Sequence, residues 1–408
     1  MPININKINE IKDKLYEYNF ESQNFSKINK NLEIGTLIFY KSKNEYHLFG
    51  ISDKDTILPV FIFYNNFKNK INLFDKYKSP NIFGPSPPKY KLAEILSSNY
   101  DDKIPTLSSK YDDNIGIGLR NEGNTCYANA SMQMFLHCKK LTENISNLKK
   151  TSSMFIEYYY KLIKYFLSGK TNYNIYHLLK IMSLTNPIFL DGSQHDPLEF
   201  IYNFLTILNQ ELIKDKNYFL NLKPPKNKFE NYKYNYFKKN NTIITLFVGF
   251  FKIITVFNNK KIESYSPFKS LDLPLIEENG EKIYNIYNSI KYLTKNKGNF
   301  TFKLEELPYY LIINLKRVKN EKHLNQNFDY PKEINFKNFM PQEYKKSTNY
   351  RLIGVIKHFG DENGGHKIAV CKHLNLNSWK VYNDSSVSPA DEDDVFGGEA
   401  NILLYELY

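Results

Sequence analysis

Cysteine is scarce in this chain, with three among 408 residues. Three scattered cysteines make no disulfide framework, and such low usage is typical of a reducing compartment. Long apolar runs are missing too: TLFVGFFKIITVF, at 245–257, contains Lys252 and is shorter than the ~20 residues of a membrane span. The opening MPININKINEIKDK has no apolar core of a secretory signal. We therefore expect a cytoplasmic or nuclear protein without a membrane partner.

Arginine is absent from the most basic segment, KDKNYFLNLKPPKNKFENYKYNYFKKNN at 214–241. The whole chain has 55 Lys and Arg against 43 Asp and Glu, a formal charge of +12. Lysines that alternate with aromatic residues can bind single-stranded nucleic acid. Without arginines or a recognisable binding module, however, we interpret the segment as a solvated basic loop or β-hairpin, and we expect no nucleic-acid partner.

Apolar patterning divides the chain near residue 115. Residues 1–32 have a partly helical pattern, and alternating apolar runs between 33 and 66 predict strands. The Pro- and Ser-rich KSPNIFGPSPPKYK at 78–91 begins a polar linker that extends to 114. The sequence therefore predicts a small N-terminal domain over 1–114 and a second domain over 115–408.

The second domain has helical patterns first and strand patterns later. Helices are predicted from Cys126, across 144–169 and from Asp196. The predicted strands are 242–257, 309–318, 350–359, 366–374, 378–384 and 400–407. This order predicts an α+β fold.

Cys126 follows a Gly- and Asn-rich loop and begins a helix in GLRNEGNTCYANASMQMFLHC, 118–138. The positive end of a helix dipole stabilises a thiolate at this position. Asn121 could donate its side-chain amide to a developing oxyanion. A buried inert thiol is the alternative for Cys126, and it is the interpretation that we keep for Cys138.

A base and a residue to orient it are available far along the chain. His366 opens a strand directly behind Gly364 and Gly365, and the strands 366–374 and 378–384 are predicted to pair as a hairpin. Asn383 would then lie near His366 and could accept a hydrogen bond from one ring nitrogen.

These segments resemble the ubiquitin-specific proteases. GLRNEGNTCYANA is similar to their cysteine box, and YRLIGVIKHFGDENGGHKIAV with WKVYNDSSVSP is similar to their histidine box. GSQHDPLEF, LPYYLIINLKRV and ANILLYELY agree in order, so the resemblance spans about 116–408. It implies a papain-like fold with a helical thumb and a β-rich palm and fingers. It also implies a cysteine-type deubiquitinase, which hydrolyses the bond after the last glycine of ubiquitin, with ubiquitin and ubiquitinated proteins as partners.

The resemblance also implies roles for individual residues. Cys126 is the nucleophile, His366 the general base and acid, and Asn383 the third member of the triad. Asn121 falls at the oxyanion position, and Asp384 at the position of a supporting acid.

In QHDPLEF, Asp196, Pro197 and Glu199 have the pattern of a helix start, with an N-cap, a first-turn proline and a capping-box acid. The resemblance adds that carboxylates here face the Arg-containing tail of ubiquitin. Asp196, Glu199 and Gln194 are therefore candidates for binding the tail.

The chain departs from the family pattern at several points. The two CxxC pairs of a zinc site are missing from the fingers, so we expect no metal and no cofactor. Lys367 replaces the usual aromatic residue and could disfavour imidazolium, unless its side chain reaches solvent. The acidic ADEDDVFGGE at 390–399 is interpreted as a solvated loop, with an interaction site as the alternative. A catalytically weak ubiquitin-binding module and a protease for another ubiquitin-like modifier are the alternative functions.

Overall fold

The computed structural model describes the backbone of six N-terminal strands and most of the chain from residue 116 to 408. The gaps in the second part are 149–150, 152, 170–172, 215–223, 242, 258–259, 297–299, 320–321, 325 and 362–363. Contacts between residues divide the chain into two units, Met1–Asp101 and Asp102–Tyr408.

The described strands of the first unit form one antiparallel sheet with the order β1-β6-β5-β4-β2-β3. They are β1 (Ile3–Asn4), β2 (Leu15–Asn19), β3 (Asn24–Lys27), β4 (Leu37–Lys41), β5 (Glu45–Asp53) and β6 (Thr56–Tyr64). The strands predicted between 33 and 66 are confirmed. Within 1–32 the described residues are strands rather than helix. Three further predictions concern residues outside the described part of the chain. They are the rest of the helical pattern within 1–32, the linker to 114 and the boundary near 115.

The described part of the second unit begins with helices. They are α1 (Cys126–Leu136), α2 (Lys139–Ser146), α3 (Met154–Ser168), α4 (Tyr176–Ser183), α5 (Pro197–Lys214) and α6 (Lys228–Phe237), with 3-10 turns at Pro187–Leu190 and Ile243–Phe247. Every residue of α1 is buried, so packing on all sides holds this helix. The helix that was predicted across 144–169 is divided into α2 and α3. Ser153 caps the start of α3 and Gly169, in the left-handed region with φ 64°, ends it.

Strands dominate the remainder. They are β7 (Gly249–Phe257), β8 (Lys260–Phe268), β9 (Ser270–Pro274), β10 (Phe300–Glu306), β11 (Tyr310–Lys316), β12 (Val318–Lys319), β13 (Lys322–His323), β14 (Glu333–Asn335), β15 (Asn349–Asp361), β16 (Gly364–Lys372), β17 (Trp379–Asn383), β18 (Ser386–Ala390) and β19 (Ala400–Leu407). Two short helices lie among them, α7 (Ile286–Leu293) and α8 (Glu392–Val395).

One eight-stranded sheet positions the site. Its order is β18-β17-β16-β15-β19-β11-β9, with β14 beside β15. All its pairs are antiparallel except β9 with β11. The predicted hairpin of 366–374 with 378–384 is confirmed as β16 and β17. The strands β10, β7 and β8, in this order, form a smaller separate sheet.

The two faces of the large sheet bury different cores. Along β16, Ala369 and Cys371 join the apolar cluster that contains α1, whereas Val370 between them joins the other cluster. This alternation is the period of two that a strand imposes. The helix α1 packs against β16, and Cys126 at the start of the helix interacts with Lys367 near the start of the strand, so these two ends lie together. The fold is α+β, as predicted.

The basic segment is not a β-hairpin in its described part. Residues 228–237 form α6, which Asn227 caps by accepting from the N–H of Glu230. Phe229 and Tyr232 pack against Phe250 and Tyr265 of β7 and β8. The aromatic residues that the sequence presented as a possible nucleic-acid surface therefore hold a helix against the smaller sheet.

The acidic segment is not merely a solvated loop. It contains α8, which begins with a capping box between Asp391 and Asp394. Val395 is buried, and the ring of Phe396 packs against Tyr330.

Within the described part of the chain, no helix has the length and apolar character to cross a membrane. The same residues contain no group of three or more His, Cys, Asp or Glu side chains that could hold a metal ion. The expected lack of a cofactor stays a prediction.

Candidate active site

Cys126 is the first residue of α1 and is buried, with 2% of its surface exposed. Its thiol therefore lies in the first turn, where free backbone N–H groups and the helix dipole favour negative charge. Cys138, beyond the other end of α1, is fully buried, and burial raises the pKa of its thiol well above the usual range. The two buried thiols thus lie at opposite ends of α1.

The loop before Cys126 is folded around the side chain of Asn121. Its Oδ1 accepts from the backbone N–H groups of Gly123 at 3.0 Å and Thr125 at 3.1 Å. The hydroxyl of Thr125 also donates to it, at 3.2 Å. Because the oxygen is fully used inside the loop, the amide nitrogen points outward as a donor.

That nitrogen donates to Asp384. The distance from Nδ2 of Asn121 to Oδ2 of Asp384 is 2.8 Å. Asp384 lies in the two-residue turn between β17 and β18, with φ at +49°. This left-handed conformation costs a non-glycine residue energy, although Asp and Asn tolerate it best. The backbone N–H of Leu119 donates to the carbonyl oxygen of Asp384 at 2.7 Å and helps to hold the turn.

His366 is oriented by Asn383. The Nε2–H of His366 donates to Oδ1 of Asn383 at 2.6 Å. This bond fixes the tautomer, so Nδ1 is the nitrogen that can exchange a proton with a reacting group. Oδ2 of Asp384 lies 4.0 Å from the same Nε2 and places a carboxylate beside the ring. The imidazole is therefore held by a neutral partner and has a negative charge nearby.

Lys367 does not extend into solvent, since only 8% of the residue is exposed. It shares the face of β16 that packs toward α1, because Ala369 and Cys371 lie on that face. Burial lowers the pKa of Lys367, while the Cys126 thiolate and the Asp196 carboxylate act in the opposite direction. The alternative in which this lysine reaches solvent is therefore wrong. Its charge acts on Cys126 and Asp196.

The loop 191–196 joins the cysteine loop to the histidine turn. The side-chain amide of Asn124 donates to the carbonyl of Gly192 at 2.8 Å. The backbone N–H of Gly365 donates to Oε1 of Gln194 at 2.8 Å. Gln194 is thus next to His366 in space, and its oxygen is already bound within the protein.

Asp196 and Glu199 are both exposed at the start of α5. Oδ1 of Asp196 accepts from the N–H of Leu198 at 2.8 Å, so the helix-capping role predicted for it is present. The interaction of Asp196 with Lys367 places it on the side of the site where Cys126 lies. Glu199 lies in the first turn of the helix.

Two residues of the site were missed in the sequence. Asn129 is buried, and its Nδ2 donates to Oδ1 of Asp384 at 2.7 Å and to the carbonyl of Leu119 at 3.1 Å. Gly118 passes so close to the turn that a Cβ there would lie 2.2 Å from the carbonyl oxygen of Ser385. The signal for Asn129 was available, because it is a polar residue three positions after Cys126 on a helix that is otherwise largely apolar.

The geometry has the parts that nucleophilic acyl transfer requires. A thiol lies at a helix N-terminus, an imidazole is held in one tautomer, and an amide donor is held by a carboxylate. The fold brings them together from the start of α1, the start of β16 and the end of β17.

Comparison with known proteins agrees with this arrangement. Residues 117–405 match the family model described as "Ubiquitin carboxyl-terminal hydrolase". The chain belongs to the ubiquitin carboxyl-terminal hydrolase family.

Two curated relatives illustrate the similarity. The chain is 26% identical over 349 residues to ubiquitin carboxyl-terminal hydrolase Usp2 of Drosophila melanogaster, covering 76% of this chain and 37% of the relative. It is 24% identical over 333 residues to ubiquitin carboxyl-terminal hydrolase 2 of Homo sapiens, covering 71% and 55%. The matched region thus spans between about a third and just over half of these relatives.

Solved structures share the fold. A chain of the SAGA Ubp8/Sgf11/Sus1/Sgf73 DUB module bound to ubiquitin aldehyde aligns with a TM-score of 0.58 at 19% identity, covering 89% of this chain and 79% of that one. A second structure of the SAGA DUB module, bound to monoubiquitin, aligns with a TM-score of 0.57 at 20% identity, with the same coverage.

Proposed function

We propose that this protein is a thiol protease that hydrolyses the peptide or isopeptide bond after the C-terminal glycine of ubiquitin. The observation that carries the proposal is the meeting of three segments at the start of α1: Cys126 itself, His366 held by Asn383, and Asn121 held by Asp384. Membership of the family and the ubiquitin-bound structural neighbours support ubiquitin and ubiquitinated proteins as its partners.

The first half of the reaction forms a thioester. The thiolate of Cys126 attacks the carbonyl carbon of the terminal glycine, and the electron pair of the carbonyl moves to its oxygen. The amide of Asn121 has a second hydrogen besides the one donated to Asp384, and this hydrogen bonds to the developing oxyanion. When the tetrahedral intermediate collapses, Nδ1 of the His366 imidazolium gives its proton to the leaving amine.

The second half releases ubiquitin. Nδ1 of His366, now neutral, takes a proton from a water molecule as its oxygen attacks the thioester carbonyl. Collapse of the second intermediate breaks the C–S bond and restores the Cys126 thiolate and the imidazolium. Asn383 keeps the ring in one orientation through both halves, because it accepts from the nitrogen that takes no part in transfer.

We also propose that Asp196 pairs with the Arg-containing tail of ubiquitin. It is exposed, it lies beside the nucleophile, and its capping bond uses one oxygen. Glu199, in the first turn of α5, supplies a second carboxylate. Gln194 holds the histidine turn through Gly365 and contacts the tail from there. An Asp196→Asn variant should raise KM for a ubiquitin substrate and leave kcat nearly unchanged.

The catalytic domain in this proposal comprises 115–408 and acts in the cytosol or nucleus, with 1–114 as a separate domain. The match of the family model to 117–405 and the free state of all three cysteines support this assignment.

Turnover of a ubiquitin C-terminal fluorogenic substrate tests the proposal. Wild-type protein should release the fluorophore, Cys126→Ala should not, and the matched control Cys138→Ala should remain active. Absence of turnover by the wild type, or equal turnover by Cys126→Ala, contradicts it. Parallel substrates with the tails of other ubiquitin-like modifiers distinguish a protease for one of those.

A further inference from the structure

A cavity of about 170 Å³ opens at the far end of α1 from Cys126. The helix has 11 residues and therefore separates the cavity from the thiol by about 16 Å. Its wall is built by the start of α2 and by β15, β16, β19 and the loop from β16 to β17. A water molecule takes about 30 Å³ of liquid volume, so the cavity can hold a small polyatomic ion with some of its water.

Three cationic side chains line this cavity, together with one carboxylate. They are Lys139, Arg351 and Lys372, and the carboxylate is Glu406. Arg351 and Glu406 neutralise each other, because Nε and Nη2 of the guanidinium both donate to Oε2 of the carboxylate, at 3.0 and 2.5 Å. Lys139 and Lys372 are then left as a net positive pair.

Neither lysine has an ion-pair partner within 4.0 Å among the described residues. Lys139 donates to Oδ1 of Asn375 at 3.1 Å, which is a neutral partner. Among the described residues, no carboxylate oxygen lies within 4.0 Å of either ammonium group. Burial lowers the pKa of Lys372, with Arg351 and Lys332 in the same direction and Glu333 and Glu406 in the opposite one. A bound anion would pair with both ammonium groups and would complete the site.

His137 on the wall adds no charge above mildly acidic pH. Burial lowers the pKa of His137 to about 4, so its ring is neutral. The backbone N–H groups of Asn375 and Leu376 donate to Nδ1 of His373, at 3.2 and 3.0 Å, which leaves the hydrogen of that ring on Nε2. Attraction for an anion therefore comes from the two lysines.

We propose that this cavity binds a phosphate group through Lys139 and Lys372. The forked guanidinium that suits a carboxylate is already occupied by Glu406, whereas lysines act as point charges with several donors and suit a phosphate dianion. The phosphate can be free or can be carried on a phosphorylated side chain. The two sources present the same group to the lysines.

The intrinsic tryptophan fluorescence of the protein can be used to measure this binding. Trp379 is the single tryptophan of the chain, and it is the cross-strand neighbour of Lys372 in the register of β16 with β17. Intrinsic fluorescence of the full-length protein is therefore recorded during titration with inorganic phosphate and, separately, with a phosphoserine peptide. Ionic strength is held constant with sodium chloride, and the unphosphorylated peptide is the blank. Calorimetry of the same titrations detects binding that leaves the fluorescence unchanged.

The matched variants are the double substitution Lys139→Gln with Lys372→Gln, and Lys345→Gln as an exposed lysine elsewhere. We expect saturable binding of at least one probe, a dissociation constant at least about tenfold higher in the double variant, and no change in Lys345→Gln. The probe that binds identifies the source of the phosphate. No saturable binding of either probe, equal affinity in the double variant, or equal weakening in Lys345→Gln overturns the proposal.

Discussion

The amide nitrogen of Asn121 donates to the carboxylate of Asp384 over 2.8 Å, which connects residues 263 positions apart in the sequence. The same carboxylate accepts from Asn129 through its other oxygen, at 2.7 Å. It also lies 4.0 Å from Nε2 of His366. Asp384 therefore acts in two places, since it holds the side-chain amide of Asn121 and places a carboxylate beside the imidazole of His366.

Asn121→Ala should lower kcat by roughly 10²- to 10³-fold, the usual cost of removing one oxyanion donor. The variant also loses the bonds that Oδ1 of Asn121 accepts from Gly123 and Thr125, so the loop before Cys126 loses support and KM should rise as well. Steady-state kinetics with a ubiquitin fluorogenic substrate measures both constants. A wild-type kcat in this variant would contradict the assigned role.

Asp384→Asn should have a smaller effect. Asn tolerates the left-handed backbone of this turn, so the fold should persist. The kcat should fall by roughly 10- to 100-fold, because a neutral acceptor holds Asn121 less firmly. Steady-state kinetics with the same substrate measures this fall. A wild-type kcat in this variant would contradict the role of Asp384.

Lys367→Gln should lower kcat/KM at neutral pH, because the thiolate of Cys126 loses a nearby positive charge. Steady-state kinetics with the same substrate measures the loss, and Lys345→Gln, at an exposed lysine, serves as the control. A kcat/KM equal to that of the wild type would contradict the placement of this charge.

His137 should make the protein less stable in acid. Its pKa is lowered from 6.5 to about 4, mainly by burial and in addition by His373 and Lys380, while its bond to the carbonyl of Gln133 acts in the opposite direction. The stability contributed by the neutral ring is present above pH 6.5. It is lost as pH falls toward 4, because the unfolded chain binds the proton first, and the loss totals about 3 kcal/mol.

Urea unfolding at pH 7.5 and pH 4.5 measures this effect. The free energy of unfolding of the wild type should fall by roughly 2–3 kcal/mol more than that of His137→Gln over this interval. The comparison uses only the change in the free energy of unfolding between the two pH values in each protein. The stability that the substitution itself removes is the same at both pH values and therefore cancels. An equal change in both proteins would contradict a neutral buried His137.

Much of the site could be predicted from the sequence because its parts are local patterns. The helix start at Cys126, the strand after Gly365 and the pairing of β16 with β17 each follow from short-range signals. The distance between His366 and Asn383 follows in turn from that pairing. The pattern within 192–200 likewise predicted the start of α5 and its cap.

What the sequence could not show depends on contacts between distant segments. Whether Lys367 reaches solvent is decided by α1 packing on its face of β16, and no local signal reports that packing. The segment around Phe229 and Tyr232 was interpreted as a loop or hairpin, because the rings of Phe250 and Tyr265 that hold it as a helix come later in the chain. The role of Asn129 required the position of Asp384, 255 residues away.

Covalent labelling by a ubiquitin probe with a C-terminal vinyl sulfone tests the central claim most directly. Wild-type protein and Cys138→Ala should each gain one ubiquitin, peptide mapping should place the adduct on Cys126, and Cys126→Ala should stay unlabelled. A wild-type protein that gains no ubiquitin, or a Cys126→Ala variant that still does, would contradict the assignment of Cys126 as the nucleophile.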